Sequence, residues 1–273
     1  MADLVLGIDA GGTFTDALLY CKEENSVLAR AKTPTTHDNL SLCLAAALET
    51  VMGKVAVAPS QISVVSVSTT LATNALVEDG GRAAGLVTIG FKEDALSRAG
   101  LSRISERSPH LKLAGGHSSH GSALQDLDLR PLDEWLTEHD SRLEAYAVAG
   151  SFSVRNPEHE QLAGSFIQSR TGKPVTVSHE LSSNLNAPKR ATTALLNARL
   201  VPIVNELVTG VEGSMLRAGL TSRLMVMRGD GSLVSSDFVR DRPIETILSG
   251  PAASAIGAAA LAGIDDGVVV DIG

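Results

Sequence analysis

The chain has 273 residues, 44% of them hydrophobic and 3% aromatic, and a net charge of -8. That length suggests two domain-sized units, or one with a large insertion, cored by Ala, Leu, Val and Ile packed at close range. The acidic balance, without a run of like charge, excludes a nucleic-acid surface, which needs a clustered basic patch.

Cys21 and Cys43 form no CxxC or other metal-ligand spacing and read as two reduced thiols, a single disulfide remaining open. Asp3 comes too early for a signal peptide, and the first apolar run ends at Asp9. The longest apolar stretch, 251–264, is built of Ala and Gly and is too short to span a bilayer. The expectation is a soluble cytoplasmic protein with neither membrane nor nucleic acid among its partners.

In chain order, residues 4–9 and 17–20 predict two strands joined by a Gly-Gly turn, with 27–32 a third. Residues 40–52 have helical periodicity, capped by Asp38 or Asn39. Residues 62–67, 71–78 and 84–89 read as strand, helix and strand, implying a parallel βαβ segment with a right-handed crossover. Periodicity is lost from 97 to 140, where Gly, Ser and His accumulate, and this stretch reads as an insertion or subdomain loop. Strand 146–150, helix 157–169 and strand 175–178 restore the α/β alternation. A long helical stretch over 191–216 contains Pro202, which should kink or divide it. A strand at 224–227, a turn at 229–231, a small-residue helix at 251–262 and a last strand at 267–271 complete an open α/β class.

Residues 5–16 read VLGIDAGGTFTD, an apolar run that collapses into two glycines, two hydroxyls and two carboxylates. Gly11 and Gly12 allow positive φ and let backbone N–H groups approach an anion. Thr13 and Thr15 add hydroxyl donors. Asp9, at a strand end, suits the hydration shell of a Mg2+ ion bridging phosphates, and Asp16 could orient a water or a substrate hydroxyl. The competing account is a tight hairpin whose Asp and Thr only satisfy turn amides. Walker A is excluded because Gly172-Lys173 runs into Pro174 without the required first Gly, and no GxGxxG follows the first strand. Ser249-Gly250 ahead of Pro251 offers a helix N-terminus suited to an anion, or an ordinary helix start with Pro at its first position. Thr69, Thr70, Thr73 and Asn74 open a helix and either face substrate or cap it.

DAGGTFTD resembles the first phosphate loop of the actin, heat-shock chaperone and sugar-kinase superfamily of ATPases. Ser68-Thr-Thr-Leu-Ala-Thr-Asn-Ala75 with Glu78 resembles the HGTTxATNAxxE signature of the hydantoinase and 5-oxoprolinase family. Asn156-Pro-Glu-His-Glu160 is similar to its NPxHE, and Thr192, Thr193, Asn197 and Pro202 to its RTxTTxxNAxxxP. Leu248-Ser-Gly-Pro-Ala-Ala253 is similar to LLSGPAAG, and the closing VVVDIG resembles the opening of a second phosphate loop, DxGGTxTD. Departures lie at Val67-Ser68, where the family has His-Gly, and at Arg228-Gly-Asp-Gly231, where it has SNGG; Gly115-Gly-His117 has no counterpart.

The resemblance covers the whole chain and implies a ribonuclease H-like, actin-like ATPase lobe with a mixed sheet, carrying an inserted α/β subdomain. It implies the N-terminal half of a two-lobed protein: an N-terminal hydantoinase/oxoprolinase region over 1–180, and the start of a hydantoinase A-type domain over 181–273. The implied activity is ATP-dependent opening of a cyclic amide such as a hydantoin or 5-oxoproline, with a hydantoinase-type second subunit and a possible homo-oligomer. The alternatives are an ATP-dependent ketone carboxylase subunit of the same family, or a non-metabolic ATPase activator or scaffold. ATP and Mg2+ are the implied cofactors. Asp9 and Asp271 would hold the metal across a cleft, with Asp16 joining them in catalysis. Gly11, Gly12, Thr13, Thr15, Ser249 and Gly250 would meet the phosphates, and Thr69, Thr70, Thr73 and Asn74 the substrate. His117 and His120, in a Gly/Ser-rich stretch, read as surface or capping histidines; His159-Glu160 lacks the second His of HExxH, and no GxSxG elbow marks a serine hydrolase.

Overall fold

Along residues 4–10, Leu4, Leu6, Ile8 and Ala10 are buried while Asp9 is exposed, the period-two pattern of a strand with one covered face. In the computed structural model, which describes residues 3–36, 39–77, 80–98, 108–263 and 266–270, this run is β1 (Leu4–Ala10). It continues through β2 (Phe14–Cys21) and β3 (Ser26–Pro34) as an antiparallel meander. Asn39 caps α1 (Leu40–Met52), its side chain accepting from the Ser41 N–H. The helix buries Cys43, Leu44, Ala47, Leu48 and Val51, one stripe at i, i+1, i+4, i+5 and i+8. Each fully buried Leu there contributes about 1.5–3 kcal/mol.

Two compact units emerge: one from the chain up to residue 79 together with the chain from 204, the other from 80–203. The second unit is therefore inserted into the first, the arrangement implied by the fold class.

In the first unit, β4 (Ile62–Thr69) runs parallel to β1, and β9 (Arg223–Met227) parallel to β4. A short β10 (Leu233–Ser235) closes the edge antiparallel to β9, giving a six-stranded mixed sheet ordered β10-β9-β4-β1-β2-β3. Leu6, Ile8, Leu19, Val65 and Val67 share one core with Leu44 and Leu48 of α1 and with Val204, Leu207, Val208 and Val211. α2 (Leu71–Val77) begins directly after β4, and α8 (Ser236–Asp241) and α9 (Ser249–Ala262) follow β10.

The inserted unit has a fully parallel sheet ordered β6-β5-β7-β8, from β5 (Ala84–Ile89), β6 (His110–Leu113), β7 (Ala145–Gly150) and β8 (Val175–Val177). Every residue of β5 and β7 is buried, as expected of parallel strands covered on both faces. A four-residue α3 (Ala95–Arg98) follows β5. α4 (Arg130–His139) and α5 (Glu158–Thr171) supply Leu132, Trp135, Leu136, Ala163 and Ile167 to one core cluster. α6 (Ser178–Leu181) leads into α7 (Ala187–Arg217). Ala191, Ala194 and Ala198 of α7 meet Ala145, Ala147 and Ala149 of β7, small residues on both sides that let helix and sheet approach closely.

Four expectations are corrected. The strands at 62–69 and 84–89 do not form one βαβ segment: β4 pairs with β1 and β9, and β5 with β6 and β7. Local periodicity specifies a strand but not its partner. The stretch 97–140 is not a featureless loop, since β6 and α4 lie in it and Trp135 and Leu136 are buried. Pro202 sits inside one continuous α7 and does not divide it. No strand forms over the described part of 267–271, whose residues 268–270 are exposed. α7 is long and apolar enough to cross a membrane by length and composition alone, and many of its apolar side chains, among them Ala194, Leu195, Leu207 and Val211, lie in the core clusters.

Candidate functional site

The alternation that buries Ile8 and Ala10 turns Asp9 to the other face of the sheet, and Asp16 of β2 lies directly opposite it in register. Asp16 in turn pairs with Lys32 of β3, and Asp9 with Ser68 of β4. A row Ser68–Asp9–Asp16–Lys32 thus crosses four strands. The Ser68 hydroxyl donates to Asp9 Oδ1 at 2.6 Å, and Lys32 Nζ lies 3.4 Å from Asp16 Oδ2 and 4.8 Å from the Phe14 ring centroid. The Lys32 pair is solvent-exposed and weak.

Like charges directly opposite on neighbouring antiparallel strands destabilise a sheet. Here one ammonium stands at one end of the row and a hydroxyl at the other. The two carboxylates line a cavity of about 790 Å³, with Lys32, Lys54, Ser68 and Ala253 among its other walls. Among the described residues no group of three His, Cys, Asp or Glu side chains could hold a metal. Asp9 and Asp16 turn carboxylate oxygens to this cavity, donors of the kind that a hard cation takes.

The hairpin tip spans Gly11, Gly12 and Thr13. The Gly11 N–H donates to Phe14 O at 3.1 Å, and β3 clamps the tip through Thr35 N–H to Thr13 O (2.9 Å) and Thr35 Oγ1 to Gly11 O (2.9 Å). Neither glycine takes a left-handed φ, contrary to expectation. At Gly11 space is the constraint, since a Cβ there would lie 3.1 Å from Phe14 O, whereas one on Gly12 would meet nothing within 4 Å and stand in the open. Among the described residues no group accepts a hydrogen bond from the Gly12 or Thr13 N–H. Two amides and an open flank thus stand beside a carboxylate, the arrangement by which a turn receives an anion.

Thr15 does not belong with them. It is fully buried, its hydroxyl bonded to Thr35 Oγ1 (3.1 Å) and Cys43 Sγ (3.2 Å) on the core side of the sheet. One residue along a strand reverses the face, so within β2 Thr15 turns to the core where its neighbours Phe14 and Asp16 are exposed, while Thr13 lies in the tip ahead of the strand.

At the carboxyl ends of β1 and β4, Thr70 N–H donates to Ala10 O at 3.2 Å. Thr69 Oγ1 accepts from Leu71 N–H (3.1 Å), the capping account weighed for it. Asn74 Nδ2 donates to Thr70 Oγ1 (3.3 Å) and Leu248 N–H to Thr73 Oγ1 (3.0 Å). Ser249 is fully buried; its hydroxyl donates to Thr69 O (3.0 Å) and accepts from Thr69 N–H (3.4 Å), fastening the start of α9 to the end of β4. Gly250 follows beside Thr70, a Cβ there lying 3.6 Å from Thr70 Cγ2. Leu248 accordingly holds a left-handed φ of 63°, a strain of order 1–3 kcal/mol for a non-glycine residue. The structure thus gathers the expected residues at one end of the sheet, but occupies the Thr69 and Ser249 hydroxyls in joining elements. Asp271 and Glu78 lie outside the described residues. Lys32 and Ser68 were missed as members of the row; strand register was the signal that could have found them.

The inserted unit holds a separate buried network. Glu160 accepts from Gly150 N–H (2.5 Å), Ser178 Oγ (2.6 Å), His179 N–H (3.0 Å) and His179 Nδ1 (2.6 Å). Arg190, also buried, donates to Ser178 Oγ, Asn184 O, Gly150 O and Ser153 Oγ. Burial alone would raise the Glu160 carboxyl, but hydrogen bonding by His179, Ser153, Ser178 and the Gly150 N–H outweighs it and holds it below the ordinary range. Among the other motif residues, Asn197 Nδ2 donates to Thr176 Oγ1, and Thr192 and Thr193 bond back to carbonyls four residues earlier, which are structural roles. His120 is exposed, whereas His117 is buried rather than at the surface.

Against known proteins, the hydantoinase/oxoprolinase N-terminal region matches residues 5–171, and the hydantoinase/oxoprolinase region matches 190–273. The caprolactamase subunit alpha of Pseudomonas jessenii is 28% identical, over 98% of this chain and 42% of its own length. The acetophenone carboxylase gamma subunit of Aromatoleum aromaticum is 27% identical, over 98% of this chain and 41% of its own. The crystal structure of ATP-dependent caprolactamase from Pseudomonas jessenii superposes with a TM-score of 0.76 at 27% identity, over 96% of this chain and 41% of that one. The chain thus spans about two-fifths of the length of these relatives.

Proposed function

This chain belongs to the hydantoinase/oxoprolinase family, and from that premise we propose that it is part of an ATP-dependent amidohydrolase subunit that opens a cyclic amide. The observation that carries the reading is the opposed Asp9 and Asp16 pair beside a hairpin tip with two undonated amides. ATP with Mg2+ supplies a phosphoryl group, the chemistry that turns a resonance-stabilised amide oxygen into a leaving group. Asp9 and Asp16 hold the hydrated cation, Ser68 fixes the Asp9 carboxylate through its 2.6 Å hydrogen bond, and Lys32 holds Asp16. The N–H groups of Gly12 and Thr13, with the Thr13 hydroxyl, receive anionic oxygens, and Gly250 adds the start of α9. Thr70 and Asn74, half-buried where α2 begins, stand on the substrate side.

A second reading, carboxylation of a ketone, is favoured by the similarity to an acetophenone carboxylase subunit. Both relatives are named as subunits, so a second subunit is part of the proposal. The test measures ATP hydrolysis by the intact protein with whatever subunit co-purifies. It is offered lactams, hydantoins and 5-oxoproline, or ketones with labelled hydrogencarbonate, or no substrate. Stimulation by a cyclic amide, with ring-opened product, supports the first reading, and label fixed into acid-stable product selects the second. ATP turnover indifferent to every substrate would remove both and leave the activator or scaffold.

A further inference from the structure

The row Ser68–Asp9–Asp16–Lys32 has a hydrogen-bond donor at each end and the two carboxylates between them. The two donors are unequal. Lys32 is exposed and its Nζ lies 3.4 Å from Asp16 Oδ2, a contact that water and salt weaken. Ser68 is 7% exposed, and its hydroxyl donates to Asp9 Oδ1 at 2.6 Å, the short distance of a charge-assisted bond.

This donor is held rigidly. Ser68 lies in β4, an inner strand of the sheet, and its neighbours Val67 and Thr69 are buried. The end of β4 is fastened twice: to β1 through Thr70 N–H to Ala10 O (3.2 Å), and to the start of α9 through the Ser249 hydroxyl to Thr69 O (3.0 Å). Asp9, opposite Ser68 in register, therefore meets a hydroxyl with little freedom to withdraw. The side chain is also particular to this chain, because the family signature has Gly at the position of Ser68.

A hydroxyl proton on Oδ1 repels a cation approaching the same oxygen. Asp9 can thus give an ion at most one oxygen, and that restriction falls unequally on divalent cations. Mg2+ demands near-octahedral geometry at about 2.0–2.1 Å. The two oxygens of one carboxylate lie too close together to fill two octahedral positions, so Mg2+ loses nothing. Ca2+ takes about six to eight oxygens at about 2.3–2.6 Å, in flexible geometry that accepts a carboxylate through both. Ca2+ is therefore denied a way of binding that suits it.

We propose that Ser68 is a specificity-determining residue, which by holding Asp9 Oδ1 makes the site prefer Mg2+ to Ca2+. Ser68 acts through Asp9 and is a positioning residue. The inference rests on the reading of Asp9 as a cation ligand beside a nucleotide.

The test is calorimetric binding of a non-hydrolysable ATP analogue to the intact protein, with whatever subunit co-purifies, in saturating Mg2+ or Ca2+. The wild type should bind the analogue at least tenfold more tightly with Mg2+. Ser68→Ala leaves the exposed Asp9 to water and should lower that ratio at least fivefold, chiefly by tightening the Ca2+ complex. Ser68→Thr, which restores a hydroxyl, should keep the wild-type ratio. A Ser68→Ala ratio equal to that of the wild type, including one in which both complexes weaken alike, overturns the proposal, since a merely structural hydroxyl would behave so. Equal affinities with the two ions in the wild type overturn it without any variant. Binding without discrimination removes this inference alone, whereas no binding with either ion removes the nucleotide reading and this inference with it.

Discussion

Replacing Asp9 by Asn separates a ligand-holding carboxylate from one that merely completes a turn. Asn keeps an acceptor for the Ser68 hydroxyl, now 2.6 Å from Oδ1, and removes one of two charges that face each other across the β1–β2 ladder. An opposed like-charge pair costs up to about 1 kcal/mol. Without nucleotide, Asp9→Asn should therefore be as stable as the wild type or more stable by at most that amount, a rise of about 2–4 °C in Tm. With Mg2+ and ATP at about a hundred times Kd, a ligand that binds only the folded state adds about 2.7 kcal/mol. The wild type should show that increment and the variant should lose it, together with ATP turnover. Thermal unfolding of the intact protein with and without MgATP reads both effects in one experiment. A variant that is clearly destabilised yet keeps its nucleotide-induced shift would refute the reasoning, because Asp9 would then be a turn residue.

Thr15→Val should cost no more than about 1 kcal/mol, because Thr35 still donates to Gly11 O and Cys43 Sγ to Leu40 O. Nucleotide affinity by calorimetry should stay within threefold of wild type; a loss beyond tenfold would return the Thr15 hydroxyl to the phosphates. Glu160→Gln should destabilise the protein at neutral pH by about 3 kcal/mol, because it leaves the buried Arg190 without its compensating charge. The folded-state pKa of Glu160 is lowered, so its contribution is fully present above the ordinary glutamate value of 4.5 and is lost as pH falls through the lower folded value. Denaturant unfolding from pH 6 to pH 3 should thus fall more steeply in wild type than in Glu160→Gln, and parallel slopes would contradict the assignment.

What could be read from the sequence follows the range of the interactions involved. The β1–β2 hairpin was legible because alternation at Leu4, Leu6 and Ile8 and the Gly-Gly break are local, and α1 because its stripe and Asn39 cap lie within one short window. The two carboxylates were legible as residues, but not as a facing pair: that depends on register, which also brought in Ser68 and Lys32 from strands distant in sequence. The assignment of β4 and β5 to separate sheets rests wholly on non-local pairing. β6 escaped because four residues, His110–Leu113, carry too little period to recognise. The glycines misled in an instructive way. The motif predicts positive φ at Gly11 and Gly12, which have none, whereas Gly90, Gly115 and Gly116 have it in a stretch that carries no motif. A glycine's type says that a Cβ is unwelcome, but whether because of backbone angle, a neighbouring carbonyl or room for a ligand is decided by what folds against it. His117 follows the same logic: beside Gly and Ser it looked like a surface residue, and only the meeting of three strand ends buries it.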